Sequence, residues 1–193
     1  MRRSILKKES ARSKRIKQIS VSAILVSILL FSVLGYAFGN FHEEEEKKIN
    51  YNGREFVYVD GFWIFEQGDF KFTLMNAPNE TEQIGSSIKT LNYYSNKPLY
   101  FSSVSPETEL YLYRNFYPTT NKIVQRIQKA CLEGETCEGD LPTKTCDENF
   151  MIIREAEEKN IYQQNSCVFI EGPVEELVGV LDSFILKVTG IDK

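Results

Sequence analysis

At 193 residues and a formal net charge of −4, the chain has room for one domain of ordinary size plus appendages. Its 42% hydrophobic and 12% aromatic content, with only 6 Pro and 11 Gly, excludes disordered and collagen-like classes. Charge is unevenly spread. Arg2, Arg3, Lys7, Lys8, Arg12, Lys14, Arg15 and Lys17 face only Glu9 at the start, so the remainder is acidic.

Between Lys17 and Glu43 there is no Asp, Glu, Lys or Arg, and residues 19–38 read ISVSAILVSILLFSVLGYAF. Twenty such residues at about 1.5 Å each match the roughly 30 Å of a bilayer's hydrocarbon core, which predicts a transmembrane helix over 18–39 and makes the lipid bilayer a partner. The basic tail, 1–17, is expected in the cytoplasm and the run Glu43 to Glu46 outside, by the charge asymmetry of the flanks. A cleaved signal peptide is the alternative, since Gly35-Tyr36-Ala37 offers small residues around a cut; the apolar run is longer than the usual 7–15 residues or so. The tail reads as a topogenic signal; without interleaved aromatics it gives no reason to expect nucleic acid as a partner.

Residues 40–50 (NFHEEEEKKIN) read as an acidic linker and 51–193 as an extracytoplasmic domain of α/β class, with α+β open. Asn52-Gly53, Asp60-Gly61 and Gly68-Asp69 punctuate REFVYV, FWIFEQ and FKFTLM, which predicts an antiparallel, aromatic-rich meander. In its third strand Phe70, Phe72 and Leu74 alternate with Lys71 and Thr73, marking the core face. Asn79-Glu80-Thr81 is a glycosylation sequon, which makes Asn79 a candidate modification site.

A strand-helix-strand-strand-helix segment is expected to follow. PLYFSSV reads as a strand, and ETELYLYRNFY fits either strand or helix. Thr119 or Thr120 can cap a helix with Ile123, Val124, Ile127, Ala130 and Cys131 on its apolar face. FMIIR and SCVFIE read as strands. A last helix, from Pro173 or Val174 to the stop at Gly190, buries Val174, Leu177, Val178, Leu181, Ile185 and Val188, with Phe184 widening the face.

The runs ACLEGETCEGDLPTKTCDENFMIIRE and QQNSCVFIEGPVEELVGVLDSFILKVTGI resemble the C-terminal part of uncharacterised membrane-anchored proteins of small-genome archaea. The resemblance spans roughly the last 75 residues and implies a source; it implies no chemistry.

The four cysteines, Cys131, Cys137, Cys146 and Cys167, form an even set in a domain expected to be exported, and read as two disulfides. No C-x2-C spacing suggests zinc. Cys131 and Cys137 enclose LEGET, whose Gly134 allows a local reversal. Cys146 precedes FMIIR and Cys167 lies in SCVFIE, so neighbouring strands would bring those two together. The expected pairs are Cys131–Cys137 and Cys146–Cys167, with Cys137–Cys146 plus Cys131–Cys167 as the alternative.

The single histidine, His42, lies in the linker, so the domain holds no imidazole for a Ser-His-Asp or Cys-His system. Phosphate-binding and dinucleotide-binding loops and zinc helices are missing too, and no catalytic, cofactor-binding or metal residue can be named. Glu133, Glu135, Glu138, Asp140 and Asp147 read as a solvated acidic loop. The expectation is a non-enzymatic domain that binds a protein or envelope component, the alternative a carboxylate-dependent envelope hydrolase or transferase.

Overall fold

The computed structural model describes residues 19–34, 47–85, 87–137 and 139–192. The chain divides into two units, Met1–Glu45 and Glu46–Lys193. In the first, a helix, α1, runs over residues 19–34. Among the described residues no helix is long and apolar enough to cross a membrane. The transmembrane helix expected over 18–39 is therefore corrected: at 1.5 Å per residue, the described residues of α1 cover about 24 Å, less than a roughly 30 Å hydrocarbon core. The tail, 1–17, and residues 35–46 with His42 lie outside the described residues.

The second unit begins with a strand where a linker is expected. β1 (Lys48–Tyr51), β2 (Arg54–Val59), β3 (Phe62–Gln67) and β4 (Phe70–Leu74) form an antiparallel sheet in chain order. Asn52 (φ 47°) with Gly53 (φ 78°), and Asp60 (φ 50°) with Gly61 (φ 87°), adopt the doubly positive φ of tight hairpin turns. Because Asn52-Gly53 is such a turn, it needs a strand on each side, and β1 is the one upstream. Register sets Phe65 against Phe72 and Val57 against Ile64, so Phe56, Phe65 and Phe72 form a ladder on one face with ring centroids 4.7 and 5.2 Å apart. All three are buried, as is Leu74; Phe70 is half-buried.

A short helical turn, α2 (Leu91–Tyr94), leads to β5 (Pro98–Ser103) and α3 (Pro106–Phe116). The ambiguous ETELYLYRNFY is thus a helix. Ser105 caps it by accepting from the Glu107 amide, and Pro106 occupies the first turn, where a missing N–H does no harm. The helix expected after Thr119 does not form. Ile123 and Val124 are buried in an irregular stretch and Arg126–Lys129 becomes β6, parallel to β5. The amphipathic pattern there is overridden because β6 pairs the edge of β5 that β9 leaves free.

Cys131–Leu132 (β7) and Thr143–Lys144 (β8) make a two-stranded ladder, followed by β9 (Phe150–Glu155), β10 (Asn160–Gln164) and β11 (Cys167–Gly172). The five-stranded sheet runs β10-β11-β9-β5-β6, parallel except for the β10–β11 hairpin. A 3-10 turn over Val174–Glu176 opens the last helix, α4 (Leu177–Val188). The expected strand-helix-strand-strand-helix order is thereby corrected to α2-β5-α3-β6-β7-β8-β9-β10-β11-α4.

One core joins the two sheets through the helices. α4 packs on β11 and touches β4, β10 and α3, while α3 packs on β4 and β5. Phe56, Phe65 and Phe72 thereby share a core with Phe101, Met151, Leu181 and Phe184. A smaller cluster covers the other face of the five-stranded sheet, with Tyr100, Phe150, Cys167 and Phe169 beneath Ala130, Leu132 and Cys146. The chain crosses β10 closely at Gly85 (φ 84°), where an added Cβ would run into the Ile161 carbonyl oxygen.

Candidate functional site: an apolar groove beside helix α3

The edge strand β4 is closed by side chains. Asn115 on α3 accepts from the Thr73 amide at 2.8 Å and donates to the Thr73 carbonyl at 3.1 Å, reproducing a ladder pairing. Further along, the Asp182 carboxylate of α4 accepts from the amides of Met75 (3.0 Å) and Asn76 (2.8 Å), from Asn76 Nδ2 (2.8 Å) and from the Tyr111 hydroxyl (2.6 Å). These contacts fix α3 and α4 against β4 and leave a groove between them on the outer side of the first sheet.

That groove encloses about 290 Å³. Phe62, Met75, Leu110 and Val178 give it apolar walls, with Tyr111 behind them. Leu110 is 61% exposed and Met75 46% exposed. Single exposed apolar residues need no explanation, but several converging on one concavity do. On α3, Glu107 and Arg114 stand one on each side of Leu110, and the Arg114 guanidinium lies 4.1 Å from the centre of the Phe62 ring. Neither charge makes an ion pair among the described residues.

Burial pushes the Asp182 carboxyl above its ordinary value, against the lowering effect of the hydrogen bonds from Tyr111, Asn76 and Met75. Burial, together with the Asp182 charge, pushes the Tyr111 phenol well up. A carboxyl held on to its proton is the raw material of acid catalysis. Asp182, however, has no exposed surface, and its four donors fill its oxygens, so it acts as a structural acceptor.

A second cleft, of about 330 Å³, lies on the far side of Asn76 and is rimmed by Glu80, Glu82, Glu175, Glu176 and Lys159. Lys159 Nζ reaches Glu82 at 3.1 Å and Glu176 at 2.5 Å, so two of its carboxylates are tied to one ammonium. Asn79 sits in the exposed turn at its lip, with Thr81 Oγ1 donating to the Ala77 carbonyl.

The cysteines pair as Cys131–Cys137 and Cys146–Cys167, with Cα separations of 5.9 and 4.9 Å. Cys131 lies on β7, where a helix end is expected from the sequence; the reversal at Gly134 brings Cys137 back all the same. Cys167 pairs in register with Phe150, which places it beside the loop that carries Cys146. The acidic loop is dispersed: Glu135 meets Arg154 at 3.7 Å, Glu138 lies outside the described residues, and among the described residues no three metal-ligating side chains converge.

Leu110 and Met75 escape the sequence reading. The signal for Leu110 is an apolar residue on the charged face of α3, visible only once ETELYLYRNFY is known to be helical. Comparison with family models, with curated proteins and with solved structures finds no match.

Proposed function

We propose that the unit from Glu46 onward is a binding domain that works in an oxidising, extracytoplasmic setting and takes a protein partner through the groove beside α3. The observation that carries this reading is the convergence of exposed Leu110 and Met75 with Phe62 and Val178 on one concavity. An apolar hollow edged by unpaired charge is the anatomy of a protein-recognition site: an anchor side chain fills the hollow and the rim sets register. The setting is argued from the cysteines, all of which are paired, since such bridges persist where thiols are not kept reduced. The archaeal resemblance remains a proposal about source.

The test is co-purification of the tagged chain from its native host, side by side with Leu110→Glu. The reading expects a protein that accompanies the wild type and is lost with the variant, while near-UV circular dichroism and the disulfide map stay unchanged. Identical companions with both proteins would overturn it.

A further inference from the structure

We propose that the groove's occupant is a second copy of this chain, docked α3 against α3 in antiparallel fashion about a twofold axis; this rests on the binding reading of the groove. Glu107, Leu110 and Arg114 are spaced i, i+3 and i+7 and share one face of the eleven-residue α3. A twofold axis across the middle of that face exchanges its ends. It brings Glu107 of each copy to Arg114 of the other, and sets the two Leu110 side chains side by side at the centre. The pattern is self-complementary, as an isologous interface requires.

Parallel packing of the same face would set Glu107 against Glu107 and Arg114 against Arg114, which like-charge repulsion disfavours. The charges also suit the dipole of their own helix, Glu107 in the first turn and Arg114 in the last. The dipole gives no reason for a 61% exposed leucine between them, or for a hollow in front of it. Docking gives both a role: lying beside the partner's Leu110 at the centre, Leu110 of each copy covers the mouth of the hollow walled by Phe62, Met75 and Val178 of the other.

The contact need not stop at the helix. On the outer face of the first sheet Val59 pairs with Phe62 and Val57 with Ile64, so an apolar strip continues from the groove across β3 and β2. Val59 is exposed, and Val57 and Ile64 are half-buried. This strip supplies area toward the roughly 800 Å² per partner that a stable dimer needs.

The experiment is sedimentation equilibrium of the full, oxidised chain over a concentration series up to roughly 100 µM, a range that detects micromolar association. The wild type is expected to pass from monomer to dimer. Glu107→Arg and Arg114→Glu should each weaken the dimer about tenfold or more, by replacing two attractive contacts with two repulsive ones. Leu110→Glu should weaken it about a hundredfold, by placing charge at the mouth of the hollow. Mixing the Glu107→Arg and Arg114→Glu proteins should restore association at concentrations where each alone is mostly monomeric, because every cross-pair is then attractive. A wild type that stays monomeric throughout, a dimer indifferent to Leu110→Glu, or a mixture that stays monomeric would each overturn the proposal. A monomeric wild type that still loses a host protein on Leu110→Glu substitution would leave the groove as a binding site and remove only the second copy. Near-UV circular dichroism of each variant separates lost association from lost folding.

Discussion

The Tyr111 hydroxyl of α3 donates a 2.6 Å hydrogen bond to the Asp182 carboxylate of α4, and both side chains are buried. The same carboxylate takes the Met75 and Asn76 amides, so one acidic group ties two helices to the end of β4. Since burial raises the Asp182 pKa in the folded chain above the ordinary 3.8, the folded form keeps its proton to higher pH than the unfolded form does. The stability linked to this group is fully present below about 3.8 and is lost as pH rises through the folded value. Subtracting the stability of Asp182→Asn from that of the wild type across roughly pH 3 to 7 should therefore leave a curve that falls with rising pH. A flat difference would mean that the two states titrate alike. Asp182→Ala, which strands four donors, should cost about 3–5 kcal/mol in urea denaturation.

Asn115 acts as a one-residue strand against Thr73. Asn115→Leu removes both contacts and leaves a half-buried amide and carbonyl without protein partners, at a cost of about 1–3 kcal/mol. Asn115→Asp keeps an acceptor for the Thr73 amide and loses the donors to the carbonyls of Thr73 and Tyr111. Hydrogen exchange at the Thr73 amide should accelerate strongly in the first variant and less in the second. Equal rates in both would show that the side chain does not carry the pairing.

The disulfides should contribute unequally. Cys146–Cys167 spans a sequence separation of 21 and Cys131–Cys137 one of 6. Loop-closure entropy assigns them about 3 and about 2 kcal/mol respectively. The buried Cys167 adds packing that its removal would forfeit. Calorimetry of the two double Cys→Ala variants should give the lower Tm for loss of Cys146–Cys167. The reverse order would mean that the β7–β8 ladder depends on its short bridge more than chain entropy implies.

Leu181 is fully buried on α4 in the core shared by both sheets. Leu181→Ala should cost about 2–5 kcal/mol by transfer and cavity terms. A cost under about 1 kcal/mol, measured by urea denaturation, would mean that the site collapses around the smaller side chain.

By itself the sequence determined those features whose cause is local. Doubly positive φ at Asn52-Gly53 and Asp60-Gly61 is a property of those dipeptides, so the hairpins were legible and even implied the strand β1 that a linker reading missed. The 3.6-residue period of the last helix named Leu177, Leu181, Ile185 and Val188 as buried, though Val174, expected with them, is 40% exposed in the preceding turn and Val178 is half-buried on the groove wall. Short separations along the chain and between strands brought out both cysteine pairs. Tertiary structure decided the rest. Residues 119–131 carry a helical pattern, yet Arg126–Lys129 pairs with β5, because an open sheet edge outweighs a propensity of a few tenths of a kcal/mol per residue. The span expected over 18–39 rested on composition alone, and among the described residues no helix is long and apolar enough to make it. The groove could not be read in advance either. Phe62, Met75, Leu110 and Val178 lie on four separate elements or their ends, and they converge only because Asn115 and Asp182 pin two helices to one strand edge. Periodicity reports which face of an element is apolar; which apolar faces meet, and which are left uncovered, is settled by long-range contacts that no local window of sequence contains.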